Sequence, residues 1–229
     1  MLHKTRYKET DKMSDLISDN YSMLLVMSRF GIPIGVGEKS IKEVCKENGV
    51  HAPTFLAVVN FLLEEVPPKI DYKTLSKEHL IVYLQHAHDY FLNFRLPNIR
   101  RKLVEAIKDC PKDVAFVITR FFDEYAEEVN KHMMYEEHTV FPYVRKLLAG
   151  EKDPHYNITV FKKRHDQIEL KIVELKNILI KYYPIDGGHL LNSVLYDIFD
   201  TEQDLASHNI VEDSLFVPAI LELEKEINA

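Results

Sequence analysis

The stretch His132-Met-Met-Tyr-Glu136-Glu137-His-Thr-Val-Phe141-Pro142 decides how this chain is read, because its frame occurs a second time. His208-Asn-Ile-Val-Glu212-Asp213-Ser-Leu-Phe216 repeats the His-x3-Glu spacing, the acid that follows it and a phenylalanine beyond. Each copy is preceded by a histidine with an aspartate behind it, His88-Asp89 and His165-Asp166. His88 lies 44 residues before His132, and His165 lies 43 before His208. Four histidines and two glutamates therefore form a duplicated set.

In a helix, positions i and i+4 project from one face, so each His-x3-Glu aims an imidazole and a carboxylate the same way. His88 continues an apolar stripe of Leu80, Leu84 and Phe91; His165 continues one of Ile158, Phe161, Ile168, Ile172, Leu175 and Leu179. An ionised carboxylate on such a core face costs on the order of several kcal/mol unless something compensates its charge. A lone histidine on an apolar face is ordinarily a satisfied core residue, but six ligand-type groups in register are another matter. The pattern predicts a metal site on His88, His132, Glu136, His165, His208 and Glu212. Two divalent ions about 3.5–4 Å apart suit it, each on two imidazoles, with Glu136 and Glu212 as bridges. Nitrogen-rich donors favour iron over magnesium or calcium and admit manganese or zinc. A ferritin-like centre needs Glu-x-x-His pairs, and Gln85, Val129, Lys162 and Leu205 stand where those glutamates belong.

Working outward, seven glycines among 229 residues favour helices over a turn-rich sheet. A net charge of −7 leaves no electrostatic footprint for nucleic acid. The N-terminus shows no apolar leader, and no apolar run approaches membrane-spanning length. Cys45 and Cys110 form neither a CxxC nor a disulfide framework. A cytoplasmic protein that binds neither nucleic acid nor membrane is expected. Residues 1–70 read as a small N-terminal helical domain. One helix covers Met23 to Met27 and stops near Gly31 and Pro33. Ser40 and Glu43 make a capping-box pattern, a further helix starts near Pro53, and Val66-Pro67-Pro68-Lys69 reads as a linker. Residues 71–229 read as four long amphipathic helices over about 77–109, 113–148, 158–182 and 190–227. Pro97 is expected to kink the first, and Phe121, Tyr125 and Tyr143 align with His132 and Glu136 on the second. Short connections make such helices antiparallel neighbours. The expected fold class is all-α, an up-down-up-down four-helix bundle with a small N-terminal domain.

At these residues the chain resembles the hemerythrin-like (HHE cation-binding) proteins, and within them the repair-of-iron-centres family of di-iron proteins. The motifs that carry the likeness are His132-Met-Met-x-Glu136-Glu137-x-x-x-Phe-Pro142, His165-Asp, His208-x-x-x-Glu212-x-x-x-Phe, and His88-Asp89 with Leu96-Pro97 downstream. The resemblance implies a hemerythrin-like bundle. It also implies that the same six residues ligate two non-haem iron ions bridged by oxo or hydroxo and carboxylate groups. It further implies a role in the nitrosative and oxidative stress response, protecting or repairing iron–sulfur centres through iron donation or NO/O2 reactivity. Partners would be O2, NO or damaged iron–sulfur proteins, and a homodimer is an admissible assembly. Two other readings stand beside it: an O2- or NO-binding or sensing module without turnover, and an NO- or O2-reducing enzyme. No catalytic side chain is singled out beyond the ligands.

Relatives in that family carry Tyr-x-x-x-Tyr-Cys-Cys-Gly-Gly near the N-terminus, where this chain reads Phe30-Gly-Ile-Pro-Ile-Gly35-Val36-Gly37-Glu38. Gly35 and Val36 replace the cysteines, so thiol chemistry is not expected there, which favours the binding reading. One residue more than the family spacing separates His88 from Pro97, making His86 a rival first ligand; His88 fits the stripe and the repeat better. Glu137 and Asp213 read as solvated, with outer-shell acceptance from a ligand imidazole as the alternative, and Asp89 and Asp166 invite the same alternative. Tyr90, Tyr125, Tyr135 and Tyr143 read as core residues rather than a lining for small molecules. His3, His51, His79, His138, His155 and His189 read as surface or supporting residues.

Overall fold

The computed structural model describes residues 6–63, 70–163, 166–181 and 188–228. The linker Val66 to Lys69, the ligand candidate His165, His3 and the break at Pro184 lie outside the described residues. Among the described residues there is no strand; Lys12 and Ser40 form an isolated antiparallel bridge. By contacts the chain divides into two compact units, Met1–Ala87 with Phe141–Ile158 and Ile210–Ala229, and His88–Val140 with Thr159–Asn209.

The first unit opens with α1 (Met13–Asp19), α2 (Met23–Arg29), α3 (Ile41–Glu47) and α4 (Ala52–Leu63). Helix α2 stops where glycine supplies a left-handed residue: Gly31 has φ 71°, and the Ile32 N–H turns back to the Met27 carbonyl at 2.9 Å. The expected capping box starts α3. Ser40 Oγ accepts from the Glu43 N–H at 3.3 Å, and Glu43 Oε2 accepts from the Ser40 N–H at 2.8 Å. Burial here rests on apolar side chains such as Met13, Leu16, Met27, Ile41, Phe55 and Val58, with Phe30 edge-on to Phe55.

Four long helical runs follow. The first is α5 (Lys77–Asp89), a π turn at Tyr90–Arg95, and α6 (Leu96–Ala106). The second is α7 (Lys112–Tyr135), a π turn at Glu136–Val140, and α8 (Phe141–Leu148). The third comprises a 3-10 turn at Ile158–Lys163 and α9 (Asp166–Lys181). The sequence predicts an α-helix from Ile158; residues Ile158–Lys163 are instead a 3-10 turn, with the Ile158 N–H held by Glu224 Oε1 at 2.8 Å. The fourth is α10 (His189–Val211), a π turn at Glu212–Phe216, and α11 (Val217–Asn228).

Each π turn ends two positions before a proline: Arg95 before Pro97, Val140 before Pro142, Phe216 before Pro218. Proline has no N–H, and its ring crowds the carbonyl four residues back. Widening the turn to i→i+5 spacing relieves both conflicts without ending the helix. The kink expected at Pro97 thus takes the form of an extra residue in the turn.

In α7 one buried seam runs through Ile118, Phe122, Tyr125, Val129 and His132, with Glu136 at the next step, and Met133 is buried beside it. In α10 the corresponding seam is Leu191, Val194, Ile198, Thr201, Leu205 and His208, with Glu212 next, while Asn209 and Val211 are buried off it. Both series alternate steps of three and four, the spacing of a packed helical seam. Phe122 therefore takes the inward place that the sequence reading assigned to Phe121, which is only half-buried. In the second unit α7 packs against α6 and α9. Arg95, in the first π turn, reaches α10 through Thr201 Oγ1 at 2.8 Å and Asp197 Oδ1 at 3.0 Å.

Candidate metal centre

The α7 seam delivers His132 and Glu136 to the interior, and α5 delivers His88; they are 7%, 0% and 2% exposed. Glu136 divides its two oxygens between them. His88 Nε2 stands 3.2 Å from Oε2, and His132 Nε2 stands 2.9 Å from Oε1. Neither approach has hydrogen-bond geometry, and both Glu136 oxygens are buried without a hydrogen-bond partner. The α10 seam brings His208, whose ring lies 5.3 Å from that of His88 and edge-on to Phe91 at 6.0 Å. Glu212 follows one turn later on the same helical run. Ligand atoms of His88, Glu136 and His208 all lie within 4.8 Å of one another. The His132 ring stacks on Phe161 at 6.0 Å, with the planes 10° apart.

These residues fit a cation. A buried carboxylate is stable only when paired and hydrogen-bonded or when it coordinates metal. Glu136 meets the first condition incompletely and is flanked on each oxygen by an imidazole nitrogen. Imidazole with carboxylate is a donor set for first-row transition metals rather than for magnesium or calcium. Four of the six sequence candidates, His88, His132, Glu136 and His208, are gathered here; Glu212 is buried as well, and His165 lies outside the described residues.

His86 is accounted for otherwise: it is exposed, and its Nδ1–H donates to the Arg29 carbonyl at 2.8 Å. Asp89 is exposed and accepts from Asn93 at 2.8 Å. His138, His155 and His189 are exposed, whereas His51 and His79 are tied into hydrogen bonds with Thr54, Ser76 and the Gly49 carbonyl. Tyr143 donates to Glu224 at 2.5 Å. Tyr125 is fully buried; burial first, and then the charge of Glu202, raise its phenol above the ordinary value. Glu137 is not simply solvated, since it accepts from the Nδ1–H of His88 at 2.8 Å. Cys45 is a buried free thiol whose pKa burial pushes up to about 12, a neutral group at physiological pH.

Buried histidine–glutamate pairs carried on helical seams define a class, and comparison with known proteins agrees. Residues 79–220 match the hemerythrin HHE cation binding domain, and the chain belongs to that family. Its fold is all-α and hemerythrin-like. The chain is also similar to the iron-sulfur cluster repair protein ScdA of Staphylococcus haemolyticus (strain JCSC1435). The two are 23% identical over 207 residues, which cover 88% of this chain and 93% of the relative. Among the described residues no helix is long and apolar enough to cross a membrane.

Proposed function

We propose that this protein is a cytoplasmic non-haem di-iron protein that protects or repairs iron–sulfur centres under nitrosative or oxidative stress. His88, His132, His165 and His208 would be the terminal ligands, with Glu136 and Glu212 as bridges. The observation that carries this reading is Glu136, with one oxygen turned to His88 and the other to His132: two cations beside those imidazoles would share this carboxylate. When bound, iron would supply redox chemistry and coordination of small diatomic molecules. The chain's part is to hold the ions in a buried pocket on ligands that exchange metal for protons. Imidazole titrates near neutral pH, so a histidine-rich site can release metal under mild conditions. The similarity to a protein named for iron–sulfur cluster repair supports the choice of damaged iron–sulfur proteins as partners. Residues 1–70 would form a separate helical domain in this scheme.

The deciding experiment combines metal analysis and Mössbauer spectra of anaerobically prepared protein with transfer of its iron to a cluster enzyme damaged by NO. Two irons per chain and recovered cluster activity are expected; a single metal, or no recovery under any condition, overturns the reading. A second reading, reversible O2 or NO binding without turnover, draws on the N-terminal loop. There Gly35 and Val36 occupy the places of the family's cysteines, and Ile34 is 82% exposed. Stoichiometric, reversible spectral change on adding gas, without iron transfer, would select it.

A further inference from the structure

The contact between His88 and Glu137 has no part in holding a cation directly, yet it involves a ligand ring. His88 has consecutive glutamates at its two nitrogens: Nδ1 donates to Glu137 Oε1 at 2.8 Å, and Nε2 faces Glu136 Oε2 at 3.2 Å without hydrogen-bond geometry. In an α-helix successive side chains diverge by about 100°, so two neighbours do not ordinarily address one ring. Here both belong to the π turn Glu136–Val140, where an added residue per turn reduces that divergence. Glu137 keeps only 20% of its side chain exposed and Glu136 only 1%. A carboxylate can only accept, so Nδ1 carries a proton toward Glu137, and Nε2 is the ring atom that remains to serve a cation.

We propose that Glu137 is a positioning residue. It fixes His88 as the Nδ1–H tautomer, locks the ring plane and raises the basicity of Nε2, so that the site is set before metal arrives. Outer-sphere carboxylates of this kind are worth about 10–100-fold in metal affinity. The inference rests on the metal reading for its purpose, but the tautomer itself is a property of the metal-free chain. Proton placement on an imidazole follows from what the other nitrogen meets.

The test uses full-length, metal-free protein with 15N-labelled histidine. Long-range proton–nitrogen correlation spectra report which ring nitrogen is protonated, and the His88 signals are assigned by their loss in His88→Gln. Iron(II) affinity is measured in parallel by competition with a chelator. Wild type and Glu137→Gln, which keeps an acceptor oxygen, should show His88 as a single Nδ1–H species. Glu137→Ala should lose that single species and bind iron about 10–100-fold more weakly, while Glu137→Gln should lose less than about tenfold. An Nε2–H tautomer in wild type overturns the proposal. So does a Glu137→Ala protein with unchanged His88 signals and affinity within about twofold of wild type. If Glu137→Ala fails to fold, the wild-type and Glu137→Gln spectra decide. Should the tautomer follow Glu137 in a chain that takes up no iron, the metal reading fails and the positioning role stands. Iron binding with a tautomer indifferent to Glu137 sinks the positioning role alone.

Discussion

Tyr7, in the segment that leads into α1, and Glu136 at the end of α7 are both almost wholly buried, 2% and 0% exposed, yet their polar atoms are treated differently. Tyr7 trades backbone hydrogen bonds with the Asn60 amide at 2.7 and 3.0 Å, donates its hydroxyl to Asp19 at 2.8 Å, and receives one from Asn20 at 3.3 Å. Burial first, then Asp19, hold its phenol well above the ordinary pKa. Glu136 has imidazole nitrogens beside it but no hydrogen bond to either oxygen. A closed polar network contributes to a unique fold; an open one costs stability until something enters to complete it. The first is architecture, and the second is where the proposed metal would enter.

That contrast can be broken most decisively at Glu136. Glu136→Met should remove most of the bound metal, read by elemental analysis. It should also stabilise the metal-free protein by about 1–4 kcal/mol in denaturant titration, because an unsatisfied buried carboxylate gives way to a thioether of similar length. A variant that keeps its metal, or is less stable than wild type when metal-free, removes the distinction between the two regions. Asn60→Ala should do the reverse. It leaves the buried Tyr7 backbone groups unmet and costs about 1–3 kcal/mol, while metal content stays unchanged. Ser40→Ala tests a purely local device, the α3 capping box, with an expected loss of about 1 kcal/mol and no effect on metal.

The smallest effect is expected from His51. Burial first, and then the neighbouring His79, lower its pKa from the ordinary 6.5. As pH falls below about 6.5, the unfolded chain takes up the proton first, so stability declines on acidification until the folded-state pKa is passed. His51→Gln should flatten that limb of the urea midpoint against pH. A steeper limb would mean that the imidazolium is favoured in the folded chain.

The seams were legible because His132, Glu136, His208 and Glu212 occupy positions where periodicity calls for apolar residues, and the interruption is itself the signal. Ser40 and Glu43 were legible because a capping box is written in adjacent residues. Phe121 was misplaced by one position, since two adjacent phenylalanines satisfy a hydrophobic pattern equally and only packing distinguishes them. The π turns do not show in the hydrophobic pattern, although Pro142 and Pro218 stand six residues after Glu136 and Glu212 and Pro97 predicts a kink. An α-helical projection sends Glu137 toward solvent; the widened turn brings it to His88. No one-dimensional period carries that information, because the effect comes from a change of helix type at the residue concerned.

The proline behind each widened turn also bears on any attempt to transplant this centre. Grafting only the five residues from His132 to Glu136 onto a straight scaffold would carry over the proposed ligands but not the geometry that lets Glu137 reach the neighbouring helix. The portable cassette runs on through Pro142, whose imide nitrogen makes a regular α-helical turn at that point costly. Designers who trim it should obtain a helix that looks right and grips metal loosely.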